Sequence, residues 1–275
     1  MDTSQLHGRT VLVTGAGSGI GRETALLSAR RGADLAICDV NRVGLEEVEA
    51  AARALGRDVI ARPVDVADRE QMRSFAEAVH AQAGAVHLLV NNAGVGLGAG
   101  LLDTELSDWD WIVAINLMGV VHGCHFFVPP MVERGTGGHV ANVSSMAGFH
   151  ASPALVAYSA TKFAVLGLSE ALREELRPHG IGVTAICPGI INTPITRAAR
   201  ARGALENPEA RERLVSLYQR RNYGPDRVAQ NILKAVARNR SVAPITIESW
   251  TAYALKRLSP RLAAWAARRM AAVTD

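Results

Sequence analysis

Residues 142–162, NVSSMAGFHASPALVAYSATK, set the reading of the whole chain. Apolar spacing predicts a helix over 154–176, which puts Tyr158 and Lys162 one turn apart on one face. A phenol alone is a poor proton donor or acceptor at neutral pH, because its pKa is about 10. An ammonium held beside it favours the phenolate and brings that pKa towards the working range. The chain has 4 Tyr, and only Lys162, Lys234 and Lys256 among its 30 basic residues are lysines. Random placement would therefore give a Tyr-x-x-x-Lys only roughly 0.04 times. In so Arg-rich a chain, Lys162 points to a need for a compact, hydrogen-bonding cation where a planar guanidinium would not do. The bland alternative is a helix-surface cation beside a half-buried Tyr. Ser144 and Ser145 lie upstream at the end of an apolar run, where a serine can also simply bond the backbone.

Outward from this stretch, strand and helix patterns alternate. TVLVT at 10–14 fits a buried parallel strand and leads through GAGSGIG at 15–21 into a helical pattern. Glycines at 15, 17, 19 and 21 let backbone N–H groups approach a pyrophosphate at a helix N-terminus. The second strand, 34–38, ends at Asp39, where a carboxylate can accept hydrogen bonds from ribose hydroxyls and repel a 2′-phosphate. That favours NAD over NADP, although Arg22 and Arg42 stand nearby and Asp39 could instead cap the next helix, 40–55. Strands are expected at 59–66, 86–90, 139–143, 182–187 and 242–247, with Asp68 capping a helix over 70–83. The 22 residues 111–132 contain no Asp, Glu, Lys or Arg. Asn116, His122, His125 and the Pro129-Pro130 pair argue for a buried interface helix rather than a membrane span. The order implies one doubly wound α/β domain, a mostly parallel sheet with helices on both faces.

The serine, tyrosine, lysine and glycine patterns together resemble the short-chain dehydrogenase/reductase family over residues 8–248. TGAGSGIG matches the family's TGxxxGxG loop, and its serine 13 residues before the tyrosine corresponds to Ser145 rather than Ser144. The resemblance implies that Ser145 polarises the substrate oxygen, that Tyr158 is the general acid/base, and that Lys162 also binds the nicotinamide ribose. Asn116, in INLMG, would distort its helix and hold a water linking the lysine to solvent. Implied cofactor contacts are Gly15, Ser18, Gly19, Ile20, Gly21 and Asp39, then Asp65 and Val66 at the adenine, and Asn91, Ala93 and Gly94 in the NNAG loop. Asn92 reads as structural. Pro188, Gly189, Ile191 and Thr193 in PGIINTPI would cover the nicotinamide. Residues 192–223 carry the breakers Gly203 and Pro208 and suggest a lid over the substrate.

Cys38, Cys124 and Cys187 are odd in number and widely spaced, which argues against a disulfide framework and a metal site. The start of the sequence has no charged-then-apolar leader, so a cytoplasmic protein is expected. The net charge of +4 divides unevenly: residues 1–196 carry 14 Lys/Arg against 20 Asp/Glu, and 197–275 carry 16 against 6. No nucleic-acid motif accompanies the basic part, and nucleic acid is not expected as a partner. Apolar candidate pocket positions at 95–97, 146–149, 155 and 190–191, with His150 the polar exception, suit an apolar secondary alcohol or ketone of steroid, retinoid or fatty type. DVN at 39–41 and the uncharged helix resemble the hydroxysteroid and retinol branch. The family resemblance also implies a homodimer or homotetramer. Residues 249–275 read as a basic helical extension starting near Pro260, with Trp265, Ala266 and Met270 on one face, able to pack on a subunit or touch a membrane surface. The competing functional readings are a non-catalytic NAD-binding sensor and a membrane-surface scaffold.

Overall fold

The structure is a computed structural model describing residues 1–193, 195–209, 212, 216 and 221–264. From the N-terminus, β1 (Thr10–Thr14), α1 (Gly19–Arg30), β2 (Asp34–Asp39), α2 (Arg42–Ala54), β3 (Val59–Pro63), α3 (Arg69–Ala83) and β4 (Leu88–Asn91) form the first half. A two-residue strand β5 (Leu97–Gly98), helices α4 (Leu106–Val113) and α5 (Gly119–Arg134), strand β6 (Gly138–Val143) and helix α6 (Val156–Leu176) follow. The chain continues through β7 (Ile181–Pro188), α7 (Ile195–Ala198), β8 (Arg200–Ala201), α8 (Pro225–Ala237), β9 (Val242–Ile245) and α9 (Ile247–Leu258).

Seven strands form one sheet in the order β3-β2-β1-β4-β6-β7-β9, every pairing parallel. The apolar runs in β1, β2, β4 and β6 are buried because helices cover both faces. One face packs Ala25, Ala29, Leu45, Val48 and Ile232 from α1, α2 and α8. The other packs Phe75, Phe127, Val165 and Leu176 from α3, α5 and α6, with the Phe75 and Phe127 rings edge-to-face at 5.9 Å. The chain order reverses between β1 and β4, which opens a crevice at their C-terminal ends.

Asp68 caps α3, accepting from the N–H groups of Glu70 (2.9 Å) and Gln71 (3.1 Å). The expected strand over 59–66 ends earlier, at Pro63, because the chain then turns, with Asp68 N–H donating to the Asp65 carbonyl (3.0 Å). The uncharged segment lies within a helix from Leu106 to Arg134, long and apolar enough to cross a membrane, with half of its most apolar window buried in the molecule. A π-helical turn, Ala114–Met118, interrupts it at Asn116. Residues 192–223 are not uniformly irregular: β8 pairs in parallel with β5, Leu97 opposite Arg200. The expected boundary at 248 falls inside α9, which packs Ala252 and Tyr253 against Phe149 and Val242. A further helical stretch begins at Pro260, as expected, but Trp265, Ala266 and Met270 lie outside the described residues.

Candidate active site

The crevice is lined first by the glycine loop after β1. A Cβ on Gly21 would run into the Gly15 carbonyl oxygen, so the loop closes onto α1 only with glycine here. Ser18 stands at the N-cap of α1 without bonding it through its side chain. Asp39, at the end of β2, accepts the Gly17 N–H at Oδ2 (2.7 Å) and the Asn41 N–H at Oδ1 (2.8 Å). The cap of α2 is Asn41, whose side chain accepts from Gly44 N–H (3.2 Å), so the capping alternative for Asp39 does not hold. Arg22 is engaged by Glu47, which leaves its guanidinium partly neutralised beside the loop.

The NNAG loop is stitched to the glycine loop. Thr14 Oγ1 accepts from the N–H groups of Asn92 (3.0 Å) and Ala93 (3.1 Å), and Asn92 Nδ2 donates to the carbonyls of Thr14 (2.9 Å) and Gly15 (3.1 Å). Asn92 is structural, as the sequence suggests. Asn91 is buried, and its Nδ2 donates to Asn142 Oδ1 (2.9 Å), so any cofactor contact from Asn91 comes through its main chain. Ile191 likewise packs its side chain into the core. After β3, Asp65 Oδ1 accepts from Ala67 N–H (2.9 Å). His122 Nδ1 lies 2.8 Å from the Val66 carbonyl and holds it in place; sequence alone gives no sign of this contact.

The catalytic candidates come from β6, the turn after it, α6 and the π-turn. Ser145 opens a short turn, its Oγ accepting from Ala147 N–H (3.1 Å). Ser144 is buried and donates to the Lys162 carbonyl (2.7 Å), a purely structural bond between β6 and α6. Lys162 is 4% exposed, and its Nζ donates to the Val143 carbonyl (3.0 Å). Burial lowers its pKa from 10.5 to about 8, against a smaller opposing pull from Cys187. Nζ lies 5.7 Å from the Tyr158 ring centre. Tyr158 is half-buried and packs among Leu97, Ala99, Ile112 and Ala157. Asn116 Oδ1 accepts from Val95 N–H (2.8 Å), and its Nδ2 donates to the Val95 carbonyl (2.9 Å). A Cβ on Gly94 would lie 3.1 Å from Asn116 Oδ1 and 3.5 Å from Lys162 Nζ, so a side chain at this position would crowd the Asn116 carboxamide.

Beyond Ser145, Phe149 is buried in a core cluster with Ala185, Cys187 and Val242, Met146 packs against it, and Tyr253 of α9 stands edge-on to Phe149 at 5.3 Å. Burial, and then Lys256, lower the pKa of His150. Opposite, β8 is anchored by Asp108, which accepts from Arg202 Nε and Nη2 (both 3.1 Å), while the Arg200 guanidinium sits 3.7 Å from the Trp111 ring centre.

The tight glycine cradle, the Asp39 carboxylate beside it and the half-buried Tyr158 next to the buried Lys162 fit a dinucleotide. A family model described as short chain dehydrogenase matches residues 9–203. Probable oxidoreductase EphD of Mycobacterium tuberculosis is 42% identical over 255 residues, 91% of this chain and 43% of that protein. The chain thus spans less than half the length of that relative. Putative oxidoreductase SadH of the same organism is 36% identical over 259 residues, 93% of this chain and 92% of that one. A short chain dehydrogenase/reductase from Burkholderia phymatum, solved in complex with NAD, superposes with a TM-score of 0.82 at 33% identity, covering 92% of this chain and 93% of that one. The chain belongs to the short-chain dehydrogenase/reductase family.

Proposed function

We propose that the protein interconverts apolar secondary alcohols and ketones with NAD as hydride partner. The observation that carries this reading is the buried Lys162 ammonium beside Tyr158, with Ser145 on the adjoining turn. Ser145 and Tyr158 hold the substrate oxygen, and in the oxidative direction Tyr158 takes its proton. Lys162 keeps the phenolate favoured and binds the nicotinamide ribose. Asn116, fixed by Val95, supports proton return towards solvent. Bound NAD supplies the nicotinamide carbon that accepts the hydride. Asp39 and the glycine loop hold the adenosine half, while Pro188, Gly189 and Thr193 belong to the nicotinamide side.

The partly exposed Val95, Met146, Leu155 and Ile190 support an apolar substrate, because burying a polyol against them would leave its hydroxyls without partners. Steroid-like or long-chain secondary alcohols are expected to give a kcat/KM at least about tenfold above that of sugars. Equal or better efficiency with sugars would refute this substrate class. In a second test, Asp39→Ala is expected to shift the NAD/NADP preference by about tenfold or more towards NADP, through lost charge repulsion. Wild-type efficiency with NADP equal to that with NAD would count against Asp39 as the discriminating residue.

The assembly proposed is a homodimer or homotetramer paired through α4–α5 and α6. The half of the most apolar window in the Leu106–Arg134 helix that is not buried within the molecule supports it. Light scattering at micromolar concentration should give twice or four times the 29.2 kDa chain mass, and a monomer would contradict the pairing.

A further inference from the structure

The first turn of α9 grips the β7 exit loop residue by residue. Ser249 is fully buried and donates from Oγ to the Cys187 carbonyl (2.7 Å). Gly189 N–H donates to the Ile245 carbonyl (3.1 Å) at the end of β9. Glu248 Oε1 accepts from Ile190 N–H (3.1 Å), and its Oε2 pairs with the Arg221 guanidinium. A Cβ on Gly189 would run into Thr246 Oγ1 and lie 2.6 Å from Glu248 Oε1, so main chain and carboxylate meet with no room to spare.

This contact is held at visible cost. Thr246 adopts φ +89°, a conformation that a β-branched residue strongly disfavours. Its Oγ1 is buried and lacks a hydrogen-bond partner among the described residues. A turn from β9 into α9 built only for stability would not need either feature. What the strained turn achieves is to aim the Glu248 carboxylate at the Gly189-Ile190 main chain.

We propose that Glu248 is a positioning residue of the nicotinamide side of the site. Its carboxylate fixes the loop 188–190 through Ile190 N–H, and Arg221 fixes the carboxylate. The proposal rests on the reading above that this loop covers the nicotinamide. Its partner Arg221 lies 27 residues away in sequence, so nothing local in the chain announces the pair.

The test is calorimetric titration of the full chain with NADH and with ADP-ribose, which shares the adenosine and pyrophosphate but lacks the nicotinamide. Wild type is expected to bind NADH more tightly than ADP-ribose. Glu248→Ala should lose about tenfold in NADH affinity, the scale of one hydrogen bond to a charged acceptor, with ADP-ribose affinity unchanged. Glu248→Gln keeps an acceptor for Ile190 N–H and should lose less, and Arg221→Ala should shift the same way to a smaller degree. A Glu248→Ala variant that weakens both ligands equally, or neither, overturns the proposal, as does a Gln variant as impaired as the Ala one. Equal wild-type affinity for the two ligands would instead remove the nicotinamide reading of the loop, and the proposal with it.

Discussion

Tyr158→Phe is expected to bind NADH as the wild type does and to turn over at least about 10²-fold more slowly, the usual cost of removing a general acid/base. The separation of the two effects follows from packing. The ring sits among Leu97, Ala99, Ile112 and Ala157, and a phenylalanine keeps every one of those contacts while losing only the hydroxyl. Lys162 stays bonded to Val143 in the variant, so the ribose side of the site is undisturbed. Single-turnover kinetics beside NADH titration would distinguish the two properties. Turnover within a few-fold of wild type would remove Tyr158 from the chemistry.

Lys162→Met should lose turnover on the same scale, yet fold more stably at neutral pH. Burial holds the Lys162 pKa at about 8, below the ordinary 10.5. Between those values the unfolded chain binds more protons than the folded one, so wild-type stability rises with pH across the window from about 8 to 10.5. Below it, the buried cation costs about 3 kcal/mol, partly offset by the bond to Val143. Methionine fills a similar volume without charge. Urea unfolding at pH 7 should show the variant ahead by about 1–3 kcal/mol, with the advantage vanishing above pH 10.5. In wild type the same titration should lower alcohol oxidation above about pH 8, as Lys162 loses its proton and the phenolate its counter-ion. A variant less stable than wild type at pH 7 would show that the ammonium is held by favourable contacts rather than against burial.

The pairing of Tyr158 with Lys162 was readable because a helix repeats every 3.6 residues, so two letters four apart must share a face. The glycine loop was readable for a similar reason, since strand, loop and helix are contiguous in sequence. Contacts across the fold left no such trace. Asp108 and Arg202 are 94 residues apart, and β5 and β8 are two residues each, too short to show any alternation. The expected strand over 59–66 is too long because its apolar pattern runs on through Val64 and Val66, which are buried in the core with Leu12, Ala36 and Phe75 although the strand itself ends at Pro63. Helix α9 reads as part of an extension because its exposed residues, Ile247, Trp250 and Leu258, blur the apolar stripe that packs on Phe149. Asn91 and Ile191 illustrate another limit: a motif can suggest a residue for a cofactor contact without saying whether its side chain or only its main chain is available, and both side chains here are buried.

The central claim is direct hydride exchange between NAD and a carbinol carbon under the control of Tyr158. The most direct measurement follows reduced-cofactor absorbance with apolar secondary alcohols carrying deuterium at the carbinol position, with the corresponding ketones and NADH run in reverse. The account predicts NADH formation, deuterium recovered on the nicotinamide ring, and loss of both in Tyr158→Phe. Tight NADH binding with no exchange in either direction, or deuterium released to water instead of to the cofactor, would contradict it.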